Sequence, residues 1–384
     1  MAGERGNVSQ EEELIRSYFY GGFKYDEIRE FLEKNHDINM SIATLKRRVK
    51  AYGLKRKNPE YDVNEVREKI RGLLDGPGCS GGYRTVWHTL EIQGIRVPRK
   101  IVQEIPKDLD PDGTVERKAH RLQRRTYHNR GPNDVCHCDG YDKLKPFGFP
   151  IHDCIDGCSR KMLWLHVTRS NNSPHNIADY YLDAVQHFGG CPQKLVTDLG
   201  TENGIVASIQ SFFRDDVESH RYVPSPRNQR IEGWWSYFRK SRTNWWSNFF
   251  KDLEERGVFN QAIELQSECL WFCFASLLQI DIDQVKEHWN THYIRRSRHD
   301  TVSGRPDSLY YLAASNGGVS NLLLPVLENE MAYARLHIVG TTVENNYQDY
   351  FNYVMSTCQL NLPENWREGL SLYEILLDHA HNGF

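Results

Sequence analysis

VCHCDGYDKLKPFGFPIHDCIDGCSRKMLWLHVTRSNNSPHNIADYYLDAVQHFGGCPQKLVTDLG, residues 135–200, decides the fold of this chain. Val135 to Leu144, then FGFPIHDCIDG, then KMLWLHV read as three β-strands joined by short polar or glycine-containing connections, the pattern of a meander. NIADYYLDAVQHFGG follows, with Ile177, Tyr180, Tyr181, Ala184, Val185 and Phe188 at helical spacing and a glycine pair at its end, so the chain crosses over in a helix. KLVTDLG is then a short buried strand whose end presents Asp198. A right-handed crossover makes that fourth strand parallel to the first and lets Asp198 approach Asp139.

Beyond this stretch, SHRYVPSP reads as a strand closed by prolines, and a long aromatic helix is predicted from near Asn228 with Glu232 on its first turn. Asp198 follows Asp139 by 59 positions, and Glu232 follows Asp198 by 34. A lone aspartate at a strand end is more often a turn or capping residue. Asp142 rivals Asp139, and Asp156 before Gly157 has the look of a turn former. Taken in this order and context, however, the three acids match what phosphodiester chemistry needs, which is carboxylates from different elements converging on two divalent ions about 4 Å apart.

A strand meander, a crossover helix, an adjacent strand and a helix bearing the last acid make up the ribonuclease H-like arrangement. Residues 131–248 resemble the integrase core of retroviral and transposon DDE recombinases. The resemblance rests on Thr197, Asp198, Gly200 and Asn203, and on Asn228, Gln229, Arg230, Ile231 and Glu232. The second interval is slightly shorter than in the retroviral pattern. IHDCIDGCSRKMLWL and NQRIEGWWSYFRKSRTNWW are closer still to integrase-core proteins encoded in animal genomes. The fold class expected is therefore an α/β ribonuclease H-like core, a mixed five-stranded sheet with flanking helices, preceded by all-α helix-turn-helix modules and followed by a helical C-terminal region.

The resemblance implies that Asp139, Asp198 and Glu232 are catalytic and metal-binding. Mg2+ (or Mn2+), two ions, is the expected cofactor, since magnesium takes oxygen ligands and keeps several waters. Asp139 would bridge both ions, Asp198 would bind one and Glu232 the other. Without DNA the three carboxylates should repel one another, raising at least one pKa. DNA, as element ends and target, is the expected partner. Asn203, Asn228, Gln229, Arg230 and Lys240 are expected to lie at it, and recombinases of this type act as homo-oligomers.

Composition agrees with two or three packed domains: 384 residues, 39% hydrophobic and 12% aromatic. No apolar run approaches a membrane span, and MAGERGNVSQEEEL lacks a signal-peptide core. An intracellular protein without a membrane partner is expected, and KRRVK and LKRKN suit nuclear import. The nine cysteines are odd in number and scattered, so reduced core thiols are expected. His120, His128, Cys136, His137 and Cys138 cluster, but no C-x2-C follows at zinc-finger distance, and no zinc site is expected.

The net charge of −3 hides a division. Residues 1–130 carry 26 Lys and Arg against 20 Asp and Glu, and the remainder 22 against 31. A basic front half suits DNA tethering ahead of a catalytic core. Residues 11–57 read as a helix-turn-helix domain. One helix runs to Tyr20, a Gly21-Gly22 break follows, a second helix buries Ile28, Phe31 and Leu32, and Ser41 caps a third. Thr44, Lys46, Arg47, Arg48 and Lys50 on that third helix would meet DNA, against the blander reading of a solvated basic face.

Residues 62–109 read as a second helix-turn-helix-like domain, in which GYRTVWHTLEIQGIRVPRKIVQEI resembles the winged or tri-helical module of bacterial insertion-sequence transposases, with Arg96, Arg99 and Lys100 toward DNA. Pro106 should end its last helix at Ile105. Residues 110–132 form a basic linker in which Arg121, Arg124 and Arg125 would follow phosphates. The core spans 133–260. Trp234, Trp235, Phe238, Trp245, Trp246, Phe249 and Phe250 are too many for one stripe, so most should pack against the C-terminal helices. Arg239, Lys240 and Arg242 are the better DNA candidates there. Residues 261–384 read as a helical extension, with no motif beyond Leu322.

Three functions of different class fit these residues. One is an integrase- or transposase-like DNA strand transferase or end-processing enzyme. A second is a domesticated DNA-binding protein with a catalytically silent core, and a third is a metal-dependent ribonuclease H-like nuclease. The first leads, because all three acids and the Asn228-Gln229 approach are present.

Overall fold

The computed structural model describes residues 10–56, 61–74, 82–109, 129–223, 229–295, 302–317, 319–338 and 345–383. The chain divides into two compact units, neither of them contiguous in sequence: Met1–His128 with His288–Asn321, and Asn129–Glu287 with Leu322–Phe384.

In the first unit α1 (Gln10–Tyr20), α2 (Tyr25–His36) and α3 (Ile42–Ala51) close around Ile15, Phe19, Phe31, Leu32, Leu45 and Val49. The break after α1 uses Gly22 at φ +82°, a conformation that side chains disfavour. Ser41 Oγ accepts from the Thr44 N–H at 3.1 Å and caps α3. Phe31 stacks on Tyr18 at 4.9 Å and meets Phe23 edge-on at 5.0 Å. Leu312, beyond the helix Pro306–Tyr311, completes this core from far along the chain. Phe31→Ala is therefore expected to destabilise this unit by about 3–5 kcal/mol, read as a lowered denaturant midpoint.

A second helical core lies in the same unit, where α4 (Val63–Leu74), α5 (Tyr83–Ile92) and α6 (Arg99–Leu109) bury Val66, Ile70, Val86, Leu90, Val102 and Ile105. Contrary to the sequence expectation, α6 does not end at Ile105 but continues through Pro106. The proline removes a single backbone donor near the helix end. Leu109, packed against the same core, holds the last turn in place.

The second unit is built on a five-stranded sheet of β1 (Val135–Tyr141), β2 (Ile151–Asp156), β3 (Met162–Val167), β4 (Lys194–Thr197) and β5 (His220–Tyr222), ordered β3-β2-β1-β4-β5. β1, β2 and β3 pair antiparallel, while β4 runs parallel to β1 and β5 parallel to β4. The crossover from β3 to β4 is α7 (Pro174–Phe188). This is the mixed, ribonuclease H-like arrangement expected from the sequence.

Strand alternation separates the two faces of the sheet. Cys136, Cys138, Cys154, Trp164 and Leu195 share a core with Ile177, Tyr181, Leu182 and Val185 of α7 and with Val206 and Ile209 of α8 (Gly204–Arg214). His137, Asp139 and Tyr141 alternate with those thiols and take the opposite face. There lies α9 (Gln229–Phe238), which continues through a π-helical turn, Arg239–Thr243, into α10 (Asn244–Glu255). Trp234, Trp235, Phe238, Trp246 and Phe250 are buried. Phe250 stacks on Phe149 at 5.1 Å, and the Trp246 indole donates to Asp281 Oδ2 at 2.9 Å on α11 (Glu264–Thr291).

The chain after Leu322 returns to this unit. Cys191 and Leu324 exchange backbone hydrogen bonds at 2.8 and 2.9 Å, and Arg335 pairs with Asp179 and Asp183 of α7 at 2.6 and 2.5 Å. The helices Asn346–Thr357 and Trp366–Asn382 bury Phe351, Tyr373 and Leu376. Gly369 lies so close to Phe274 and Leu277 of α11 that a Cβ would come within 2.9 Å of each. Among the described residues no helix is long and apolar enough to cross a membrane, and the eight described cysteines form no disulfide.

Candidate active site

Register places the first two acids. Val135 lies opposite Lys194 and His137 opposite Val196. Carried two residues on, the same register sets Asp139 of β1 beside Asp198, the first residue past β4. Asp198 is steadied by its own loop, accepting from Asn203 Nδ2 at 2.9 Å and from the Gly200 N–H at 3.4 Å, both at Oδ1. Glu232, on the first turn of α9, is exposed.

Asp139 responds to the others electrostatically. Its pKa is pushed up to about 7, first by burial and then by the negative charges of Asp198 and Glu232. Two hydrogen bonds oppose the rise: the Trp235 indole donates to Oδ2 at 3.0 Å, and the Gly140 N–H donates to Oδ1 at 2.9 Å. Both acids therefore lie within electrostatic reach of Asp139. Gly140 has its own steric reason, since a Cβ there would meet Asn171 Nδ2 at 2.7 Å.

Among the described residues no group of three or more His, Cys, Asp or Glu side chains is gathered tightly enough to cage a metal ion. The donor set still fits hydrated magnesium or manganese in kind. It consists of hard carboxylate oxygens, and such ions take one or two carboxylates, several waters and substrate phosphates.

Asp153 is the residue that sequence reasoning missed. It sits on β2 directly opposite Asp139, and opposed residues of an antiparallel pair project from the same face. Asp153 is fully buried, and neither carboxyl oxygen completes a hydrogen bond. Burial, then the charge of Asp139, raises its pKa well above the usual range, while the facing Trp234 indole opposes the rise. A signal was present in IHDCID, where an acid between Ile151 and Ile155 at period two interrupts an apolar face.

The rival acids have other work. Asp142 accepts from Asn171 Nδ2 at 2.6 Å and faces Lys145 at 3.6 Å. Asp156 is a buried turn former, taking the Asn133 N–H at 2.7 Å and the N–H and hydroxyl of Ser159 at 2.6 Å.

The expected DNA-contacting residues divide by placement. On α3, Lys46, Arg47 and Lys50 are exposed and Thr44 is half-buried, while Arg48 pairs with Glu11 at 3.1 Å. Arg99 and Lys100 are exposed, with Arg99 over the Trp87 ring at 3.9 Å. Arg96 departs from expectation. Only 7% exposed, it donates to Glu91 at 2.5 Å and to the Phe19 carbonyl at 3.2 Å, so its guanidinium is turned into its own unit. Asn203 is likewise buried, facing Asp198 rather than solvent.

Lys240 is exposed and Arg230 half-buried, whereas Arg242 faces Asp281 at 3.5 Å. Gln229 begins α9. Arg121, Arg124, Arg125 and Asn228 lie outside the described residues, as do His120 and His128.

A family model described as Integrase core domain matches residues 126–314. No match is found among curated proteins.

Proposed function

We propose, from the premise that the chain belongs to the integrase core domain family through residues 126–314, that it is a DNA strand transferase or DNA-end-processing enzyme working through Asp139, Asp198 and Glu232. The observation that carries this reading is geometric: the parallel register of β1 and β4 sets Asp139 beside Asp198, and the helix with Glu232 on its first turn is hydrogen-bonded to Asp139 through Trp235.

Asp139, Asp198 and Glu232 would together hold the divalent ions, whose chemistry when bound would be to activate a water or a 3′-hydroxyl for in-line attack and to stabilise the leaving oxygen. The chain itself has three tasks. Asp139 must release its proton near neutrality, Trp235 and Gly140 orient its two oxygens, and Asn203 orients Asp198. The exposure of Glu232 and the partial exposure of Asp198 favour a polymer lying across the site over an engulfed small molecule. No protein nucleophile is required.

The test is direct. Purified protein with Mg2+ or Mn2+ is incubated with end-labelled DNA duplexes and with RNA/DNA hybrids. Shortened or joined DNA strands support the reading. Degradation of hybrids without joining favours a nuclease, and metal-independent binding without product favours a silent core.

The front half supplies the tether in this reading, with Lys46 and Arg47 of α3 on phosphates. The double substitution Lys46→Ala/Arg47→Ala is expected to flatten the slope of log affinity against log salt by about two, close to one for each phosphate no longer neutralised. Fluorescence anisotropy of a labelled duplex over a salt series measures it. An unchanged slope would take α3 out of the interface.

A further inference from the structure

We propose that Trp235 is a positioning residue for the acids: its indole N–H latches α9 to β1 through Asp139 and so keeps Asp139 and Glu232 in register. The inference rests on the reading of Asp139 as a metal ligand and extends it to a residue outside the acidic set.

Trp235 follows Glu232 by three positions on the same helix, so both side chains project from neighbouring parts of one helical face. Its indole reaches Asp139 Oδ2 at 3.0 Å across 96 residues of sequence. The ring is not free to turn away: it is buried and stacks on Tyr141 at 4.7 Å. Tyr141 lies two residues beyond Asp139 on the same face of β1. Its hydroxyl meets Thr243 Oγ1 at 2.6 Å, in the π-helical turn that ends this stretch of helix. β1 thus grips the helix at two points, and the point nearer Glu232 is the Asp139–Trp235 bond. Hydrogen bonds of this kind fix the orientation of a metal-binding carboxylate and are a large part of its affinity.

The natural control lies in the same unit. Trp246 makes an equivalent indole-to-carboxylate bond, to Asp281 at 2.9 Å, away from the three acids. Full-length Trp235→Phe keeps an aromatic ring against Tyr141 but loses the donor together with the second ring of the indole, and Trp246→Phe makes the same truncation at the control position, so a loss confined to Trp235→Phe is not one of ring volume alone. Metal-free proteins are titrated with Mn2+, and the free ion is followed by its paramagnetic resonance signal.

Trp235→Phe is expected to weaken Mn2+ binding about 10- to 100-fold, while Trp246→Phe stays within about twofold of the parent. Equal affinity for Trp235→Phe and the parent, or equal losses in both variants, overturns the proposal. Amide hydrogen exchange over residues 229–238 gives a readout that needs no metal: it should quicken in Trp235→Phe and not in Trp246→Phe, and unchanged exchange also overturns the proposal. Should Mn2+ binding prove indifferent to Asp139→Asn, the active-site reading fails, and the latch is still decided by the exchange data.

Discussion

Asp139→Asn, Asp198→Asn and Glu232→Gln are each expected to lower metal-dependent DNA processing by about a thousandfold. Two-ion catalysis contributes several kcal/mol of transition-state stabilisation, and every 1.36 kcal/mol is about a factor of ten in rate. The three substitutions keep size and remove charge, so the fold should persist and DNA affinity, assigned to the front half, should change little. Gel analysis of labelled ends alongside anisotropy on the same preparations separates the two quantities. Any of the three variants retaining more than about a tenth of the parent activity would remove that residue from the catalytic set.

Relieving the acidic cluster should also stabilise the metal-free protein. The folded-state pKa of Asp139 is raised to about 7 from an ordinary value of 3.8. Its contribution to stability is therefore fully present below about pH 4 and is lost as the pH rises through 7. At about 1.36 kcal/mol per unit the difference amounts to at most about 4 kcal/mol, and partial solvent screening of this half-buried group reduces it to about 2–4 kcal/mol. Asp139→Asn should gain that amount at pH 8 and almost nothing at pH 4, read by denaturant unfolding in the presence of a chelator.

Asp153→Asn should act in the same direction, since Asp153 is buried with its pKa raised as well. Parent and Asp139→Asn proteins that show parallel pH profiles would contradict the raised pKa. The same proton competes with metal. At limiting metal, the activity of the parent should rise about tenfold per pH unit below 7 and level off above it.

Local pattern makes much of the second unit legible in the sequence. The alternation in VCHCDGY and IHDCID, the helical spacing from Ile177 to Phe188 and the aromatic run after Glu232 each signal within a dozen residues, and all these elements form. Ser41 is equally local, because a cap needs only its own helix. What is illegible depends on partners distant in sequence. The Trp235 indole reads as packing, which it does, but its bond to Asp139 depends on how α9 lies on the sheet. Asp153 gains its meaning from lying opposite Asp139. Arg96 has the pattern of a surface cation, yet Glu91 and the Phe19 carbonyl claim it. α8 is the exception: Val206, Ile209 and Phe213 stand at helical spacing after Gly204, a local signal that goes unread. Pro106 costs a backbone donor and a ring clash with the preceding turn, yet α6 continues through it to Leu109, which packs on the core that the rest of the helix buries.

The interleaving of the two units has a consequence for biosynthesis. Leu312, which completes the core formed by α1 to α3, leaves the ribosome only after the whole sheet and its aromatic helices have emerged. The core of α1 to α3 lacks that cover while some two hundred and fifty later residues are translated. A break placed after residue 260 would strand them in that state, so a shortened transcript is a poor source of a free-standing tether, and any gene fusion that keeps the front helices has to carry the region around Leu312 with them.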